Sequence, residues 1–116
     1  MRKPKAVISQ PMRGRTEAEI REAREPVVCM LKDKGYDVID TVFPDITSER
    51  NVSLKYLAKT IEHIADADMV FFMKGWETIC ECNIEHNVCC KYGIDMQYES
   101  YRFGRCFAYK DDYTIQ

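Results

Sequence analysis

The sequence lacks any apolar run that approaches the roughly 18 residues needed to cross a bilayer. It also lacks the apolar segment of a signal peptide, because the basic residues Arg2, Lys3 and Lys5 lead into only a short apolar stretch. We therefore expect a protein that has no membrane partner and is located in the cytoplasm.

A surplus of charge of one sign is missing as well. The 116 residues include 17 basic and 19 acidic side chains, which give a formal net charge of −2. Because nucleic acid polymers are usually bound by strongly basic surfaces, we expect no such partner. Any site for an anion must instead be built locally from a few residues.

Several ligand-binding motifs are also absent. The sequence contains neither a GxGxxG pattern nor a Walker A pattern, so dinucleotide binding and nucleoside triphosphate hydrolysis lack support. Its six cysteines include no Cys-x-x-Cys pair, and we expect reduced thiols, no metal and no cofactor. Metal binding by Cys82, His86, Cys89 and Cys90 is a minor alternative, because ligands from one helix cannot surround a tetrahedral ion.

The sequence does contain alternating strand and helix patterns. The predicted strands cover residues 5–9, 36–42, 69–73 and 94–98, and the predicted helices begin near Thr16 and Ser53 and cover residues 78–92. Thr16 and Glu19 have the spacing of a capping box, and Pro26 predicts a kink in the first helix.

This alternation indicates an α/β fold. Length and composition fit one compact domain over residues 1–116, and helices between strands favour a three-layer, doubly wound, mainly parallel sheet of the flavodoxin or Rossmann-like kind. The aromatic-rich tail, residues 99–116, is predicted to form either an extra strand or a subunit contact.

The first candidate site follows the first predicted strand and opens the first helix. It reads Ser9-Gln10-Pro11-Met12-Arg13-Gly14-Arg15. Ligands of parallel sheets bind at the carboxyl ends of the strands, where N–H groups of a helix N-terminus favour anions. Arg13 and Arg15 add charge-assisted donors, and Gly14 permits a tight turn. The segment predicts a phosphate or carboxylate site, with a solvated basic turn as the alternative.

The second candidate site follows the third predicted strand. Gly75 and Trp76 offer an aromatic face to a base, although a core or interface position is equally compatible with a lone tryptophan. Glu85 lies on the next helix, on one face with Cys82 and Cys89. Partial burial there would suit a nucleophile for an anomeric carbon, whereas the ordinary alternative is a solvent-exposed glutamate.

Five short motifs resemble the small bacterial and phage proteins of the nucleoside 2-deoxyribosyltransferase-like superfamily, over roughly residues 5–95. The motifs are Ile8-Ser9-Gln10-Pro11-Met12-Arg13-Gly14, Ala67-Asp68-Met69-Val70, Gly75-Trp76-Glu77, Ile84-Glu85-His86 and Tyr92-Gly93-Ile94. The resemblance implies that Glu85 matches the glutamate that attacks C1′ and forms a covalent glycosyl-enzyme. It also implies that Asp68 helps to hold the base and that residues 9–14 line the sugar and its 5′ side.

The resulting hypothesis is an N-glycosidic enzyme, a transferase or a hydrolase, that acts on a nucleoside or a nucleoside 5′-monophosphate. Glu85 would be the nucleophile, and Asp68 or Glu77 would protonate or hydrogen-bond the departing base. The resemblance further implies a homo-oligomer, a dimer or larger. A non-catalytic nucleotide-binding or regulatory module is the alternative, favoured by Glu81, which stands where the look-alikes more often have glycine.

Overall fold

The computed structural model describes residues 2–44, 46, 50–102 and 104–110, and strands alternate with helices along the chain. In chain order the elements are β1 (Lys5–Ser9), α1 (Glu17–Asp33), β2 (Asp37–Val38), α2 (Val52–Ile64), β3 (Met69–Phe72), a 3₁₀ turn (Trp76–Thr78), α3 (Cys80–Tyr92), β4 (Asp95–Arg102) and β5 (Arg105–Tyr109). Within the described ranges, no helix combines the length and the apolar character that crossing a membrane requires.

Helix α1 begins where the sequence predicts. The Thr16 hydroxyl accepts a hydrogen bond from the Glu19 N–H at 3.2 Å, and the Glu19 carboxylate accepts one from the Thr16 N–H at 2.8 Å. This confirms the capping box, which satisfies two N–H groups that a helix start leaves free. Pro26 lies inside the helix, and the helix continues past it to Asp33.

The five strands form one mainly parallel sheet in the order β2-β1-β3-β4-β5. The first four strands pair in parallel and β5 runs antiparallel to β4. In this register Ser9 lies beside Phe72, and Phe72 lies beside Tyr98. The carboxyl ends of β1 and β3 therefore open onto the same edge of the sheet.

Alternate residues of the central strands enter two separate hydrophobic clusters. The first contains Val7 and Val70 with side chains of α2 and α3, among them Ile64 and Cys89. The second contains the alternate residues of the same strands, packed against α1. Its members include Ala6 and Ile8 of β1, Met69 and Phe71 of β3, and Val27 and Leu31 of α1. The nearly continuous burial of β1 and β3 is that of strands covered on both faces.

The second strand is shorter than predicted. The sequence pattern extends it to Val42, but the sheet pairing ends at Val38. Beyond it, the Tyr56 hydroxyl donates a hydrogen bond to the Thr41 carbonyl and accepts one from the Phe43 N–H. The prediction of a strand over residues 36–42 is therefore wrong at its end, because a side chain of α2 satisfies backbone groups that a longer strand would pair.

The predicted third helix, residues 78–92, begins two positions later than the sequence indicates and ends where predicted. Residues 76–78 form the 3₁₀ turn, Ile79 is extended, and α3 begins at Cys80. The predicted strand over residues 94–98 continues to Arg102, and β5 follows within the tail. Residue 103 and residues 111–116 of that tail lie outside the described part of the chain.

Candidate active site

A cavity of about 340 Å³ lies at the carboxyl end of β1. Its described lining comes from β1 and the loop after it, from the segment after β2, from the starts of α1 and α3, and from α2: Ile8, Gln10, Met12, Arg13, Gly14, Ile20, Thr41, Val52, Ser53, Tyr56, Leu57, Thr60, Ile79, Glu81, Cys82 and Glu85. This volume is at the lower end of the range for small-molecule sites, which is roughly 300–1,000 Å³.

The carboxyl group of Glu85 is the most deeply placed charged group of the lining. Only 6% of the residue is exposed, and the Ser9 hydroxyl donates a 2.5 Å hydrogen bond to its Oε1 atom. Within the described residues Ser9 is the only hydrogen-bond partner of this carboxyl group. Because no described residue forms a hydrogen bond with Oε2, this oxygen is available to contact a molecule in the cavity.

Burial governs the ionisation of Glu85. Loss of solvent, the largest cause, and the nearby Glu81 carboxylate together raise the pKa of its carboxyl group, which lies at about 7. The Ser9 hydrogen bond and the positive charge of Arg24 oppose this rise in pKa, because both favour the ionised form. Near neutral pH, Glu85 is therefore divided between its neutral and its ionised form.

A buried arginine lies behind the cavity. Arg24 of α1 is 4% exposed and donates to Gln10 Oε1 at 2.8 Å and to the Thr41 hydroxyl at 3.1 Å. Its Nη1 has no hydrogen-bond partner among the described residues and lies 4.0 Å from an Asp40 carboxylate oxygen. Burial lowers the pKa of Arg24 to about 10, so the side chain stays charged at neutral pH. Arg24 therefore fixes the loop after β1 through Gln10.

A second ion pair lies at the open side of the cavity. Arg13 Nη2 is 3.1 Å from Glu81 Oε2 and 3.3 Å from Oε1, which joins the loop after β1 to the first turn of α3. The side chains are 65% and 27% exposed, respectively. The arginine that the sequence predicts to hold an anion is thus bound to a carboxylate of the chain itself.

The structure brings together most of the residues predicted in the loop after β1. Gln10, Met12, Arg13 and Gly14 line the cavity, and Ser9 contacts Glu85 directly. Gly14 has a φ of 76°, the left-handed turn that favours glycine. Arg15 is exposed and is not part of the lining, and Pro11 is buried beside Gly75, where an added Cβ would lie 3.7 Å from Pro11 Cγ.

Asp68 is not brought together with Glu85. It precedes β3 and accepts a 2.7 Å hydrogen bond from the N–H of Lys5, the first residue of β1. The amino ends of these parallel strands lie at the sheet edge opposite the cavity. The carboxylate of Asp68 therefore links two strand starts, and no acid role at the cavity follows from its position.

Trp76 and Glu77 face a different part of the molecule. Trp76 is 7% exposed and stacks on His86 with ring centroids 4.3 Å apart, so its ring belongs to the core. Both residues border a larger cavity, of about 830 Å³, next to the β4–β5 hairpin. Gly75, with a φ of 95°, forms the turn that leads into the 3₁₀ segment. Neither Trp76 nor Glu77 reaches the cavity that contains Glu85.

Sequence reasoning missed the contribution of α2 and of the segment after β2. Thr41, Ser53, Tyr56 and Thr60 line the cavity, and Tyr56 is the only aromatic side chain of its described lining. A polar residue at position 60 on the buried face of α2 was the one available signal, because buried threonines need a partner. Nothing in the spacing of Tyr56 distinguishes it from a core residue.

Metal-ligating residues do not gather in the part of the chain that the structure describes, where no group of three or more His, Cys, Asp or Glu side chains is arranged around a common point. The His86 Nε2 atom is 2.6 Å from the Tyr98 hydroxyl and its Nδ1 is 3.7 Å from Cys90 Sγ. Burial lowers the pKa of His86. This histidine is held within the aromatic core rather than at the cavity.

Comparison with known proteins shows the family of the chain. A protein-family model described as a domain of unknown function, DUF4406, matches residues 4–98. The match runs from β1 into β4 and so includes Ser9, Glu81 and Glu85. No curated protein and no solved structure matches the chain.

Proposed function

The chain belongs to the DUF4406 family, and we propose that it is an enzyme that cleaves the N-glycosidic bond of a nucleoside or nucleoside 5′-monophosphate. The observation that carries this proposal is the buried Glu85 carboxyl group, which borders a cavity of nucleoside size and receives its only described hydrogen bond from Ser9. The motif resemblance to nucleoside 2-deoxyribosyltransferase-like proteins gives the same residue the same role.

Glu85 has the environment that a carboxylate nucleophile needs. A carboxylate in water is strongly solvated and attacks carbon slowly, whereas a buried one carries little solvent. Ser9 holds Oε1 in position and leaves Oε2 for the attack. A pKa of about 7 ensures that a substantial fraction of the enzyme carries the ionised form at neutral pH.

The reaction would proceed by double displacement. Glu85 Oε2 forms a bond to C1′ of the sugar while the C1′–N bond breaks, and the departing base takes a proton from water. Water, or a second free base, then attacks C1′, the bond between C1′ and Glu85 Oε2 breaks and the carboxylate is regenerated. The proton that the attacking molecule loses neutralises the hydroxide left when water protonated the departing base. When water attacks, the products are the free sugar and the free base, and one water molecule is consumed.

The cavity offers different surroundings to the two ends of a nucleoside. Tyr56, Leu57 and Val52 of α2 present aromatic and apolar surface, which suits a base. Arg13 and Glu81, on the open side, present charged groups that suit the 5′ end of the sugar. This orientation places the anomeric carbon between the two ends, where Glu85 is available.

We also propose that the sheet is doubly wound and three-layered. Support comes from the strand order, since β2-β1-β3-β4 is the order of flavodoxin-like folds, and from the two clusters that alternate strand residues enter. Such folds bind ligands where the strand order reverses, between the first and third strands. The cavity that contains Glu85 adjoins the carboxyl end of β1 and the start of α3, the helix that follows β3.

The decisive experiment is a chromatographic assay of base release. Purified protein is incubated with ribo- and deoxyribonucleosides and their 5′-monophosphates, with and without a second free base. We expect released or exchanged base from the wild-type chain and at least about a thousandfold slower reaction from Glu85→Gln, which keeps the shape but removes the nucleophile. Glu62→Gln removes an exposed helix carboxylate and serves as the matched control. Equal rates in Glu85→Gln and wild type would refute the proposal.

A non-catalytic binding module is the second candidate, favoured by one observation. The Glu81 carboxylate raises the pKa of Glu85 and thereby lowers the ionised fraction available for attack. Binding of a nucleoside or nucleotide in calorimetry, with no base released during a long incubation, would select this candidate. Release that depends on Glu85 would reject it.

A further inference from the structure

We infer that Glu81 makes this cavity select uncharged nucleosides over nucleoside 5′-monophosphates. The inference rests on the proposed function, because it concerns the substrate of that same site. Its basis is the ion pair that Glu81 forms with Arg13 on the open side of the cavity. The segment that contains Arg13 predicted an anion site, and the structure shows what that arginine actually binds.

Arg13 is already engaged by a carboxylate. Its Nη2 donates to both oxygens of Glu81, at 3.1 and 3.3 Å. A phosphate that took over this arginine would have to displace Glu81 and leave its carboxylate unpaired beside the new anion. The exchange therefore replaces the Arg13–Glu81 pair with an Arg13–phosphate pair and adds a repulsion between the phosphate and the Glu81 carboxylate.

The remaining charges of the cavity do not favour a phosphate either. Its described lining contains one cationic side chain, Arg13, and two acidic side chains, Glu81 and Glu85. Arg24 lies behind the lining and is bonded to Gln10 and Thr41. A phosphate monoester carries a charge between −1.5 and −2 at pH 7, so it would meet two acidic groups and one cation that is already paired.

An uncharged 5′ end fits the same surroundings. In the proposed orientation the base lies against Tyr56 and the anomeric carbon lies at Glu85, which leaves the 5′ hydroxyl for the charged side of the cavity formed by Arg13 and Glu81. A hydroxyl can donate to the Glu81 carboxylate and accept from the Arg13 guanidinium while the ion pair stays intact. Glu81 therefore acts as a specificity residue: it tolerates a neutral substituent and repels an anionic one.

The test compares turnover and binding of paired ligands. Each 2′-deoxyribonucleoside is assayed against its own 5′-monophosphate with the wild-type chain, Glu81→Gln and the double variant Arg13→Gln/Glu81→Gln. Binding is measured by calorimetry in a Glu85→Gln background, in which turnover is expected to be too slow to disturb the measurement. Glu17→Gln is the matched control, because Glu17 forms a 3.0 Å pair with Arg21 on the exposed face of α1.

We expect the wild-type chain to prefer the nucleoside by at least about tenfold, the ratio that a repulsion of about 1.4 kcal/mol produces. Glu81→Gln should reduce this preference by roughly tenfold, through tighter binding of the monophosphate to the released Arg13. The double variant should lose the tighter binding of the monophosphate, because Arg13 is absent. Glu17→Gln should keep the wild-type ratio of nucleoside to monophosphate. Glu81→Ala provides a second way to remove the charge, and circular dichroism verifies that each variant folds.

Two results separate the possible failures. A wild-type preference for monophosphates, or an unchanged ratio in both Glu81→Gln and Glu81→Ala, overturns the selectivity and leaves the proposed glycosidic chemistry standing. Absence of binding and of reaction with every nucleoside and every monophosphate overturns the proposed function itself, and the selectivity with it.

Discussion

The Ser9 hydroxyl donates a 2.5 Å hydrogen bond to the Glu85 carboxyl group across 76 positions of the sequence. Ser9 is the last residue of β1 and Glu85 lies in the second turn of α3. Each residue belongs to a separate sequence motif, and the parallel pairing of β1 with β3 brings the two motifs together. The contact fixes one carboxylate oxygen and leaves the other toward the cavity.

The pH dependence of the reaction should follow the ionisation of Glu85. Because attack requires the ionised form, we expect kcat/KM to rise with pH and to level off above about 7. Ser9→Ala removes a hydrogen bond that favours the carboxylate, so the pKa of Glu85 should rise and the profile should move to higher pH. A profile with the same midpoint in both proteins would mean that Ser9 does not control the ionisation of Glu85.

Stability should also depend on Glu85. Its pKa is about 7 in the folded protein and near 4.5 in the unfolded chain, so the folded state binds more protons between these values. Stability therefore falls as the pH rises through this range, by up to about 3 kcal/mol. Glu85→Gln carries no charge at any pH and should be more stable than wild type at pH 8 by about that amount.

Urea unfolding of wild type and Glu85→Gln at pH 5 and at pH 8 checks this linkage. The two proteins should differ little at pH 5, where Glu85 is largely protonated in the folded state, and clearly at pH 8. The same difference at both pH values would show that the carboxyl group is not held near a pKa of 7.

Arg24→Met should destabilise the fold. The substitution leaves Gln10 Oε1 and the Thr41 hydroxyl without their donor inside the protein, and we expect a loss of about 2–3 kcal/mol. Arg21→Met is the control on the same helix, because its ion pairs are exposed and should contribute less than about 1 kcal/mol. Urea unfolding gives both values, and equal losses would argue that Arg24 has no special role in the fold.

Tyr56 should contribute to both stability and substrate binding. Tyr56→Phe removes the bonds to the Phe43 N–H and the Thr41 carbonyl, and we expect a loss of about 1–2 kcal/mol in unfolding free energy. Tyr56→Leu also removes the aromatic face, so its KM for a nucleoside should be roughly tenfold above that of Tyr56→Phe. Equal KM values in the two variants would exclude stacking on this ring.

Local patterns predicted the elements well where local interactions decide them. The capping box of Thr16 and Glu19 and the first strand, Lys5–Ser9, occur as the sequence indicates. The end of the second strand was mispredicted because a hydroxyl from α2 competes for its backbone groups. That competitor lies more than a dozen positions away, beyond the reach of a strand pattern.

The site shows the same division. The sequence predicted the loop after β1 and Glu85 as candidates, because a polar segment at a strand end and a glutamate among small side chains are visible in one dimension, and the structure brings them to one cavity. It also proposed Asp68 of the second motif and Trp76 and Glu77 of the third motif. In the structure Asp68 lies at the opposite edge of the sheet, and Trp76 and Glu77 border the other cavity. Their positions depend on the direction of β3 and on the path of the turn that follows it, and a short sequence motif specifies neither.

The sequence by itself determined the strand and helix alternation and the helix cap, and it pointed to the loop after β1 and to Glu85 as candidates, since each is visible in neighbours within a few positions. Only the tertiary structure decided that Ser9 bonds Glu85, that Arg13 is bound to Glu81 and that Tyr56 rather than Trp76 lines the cavity. Those contacts join separate elements, and their geometry is set by the packing of helices on the parallel sheet.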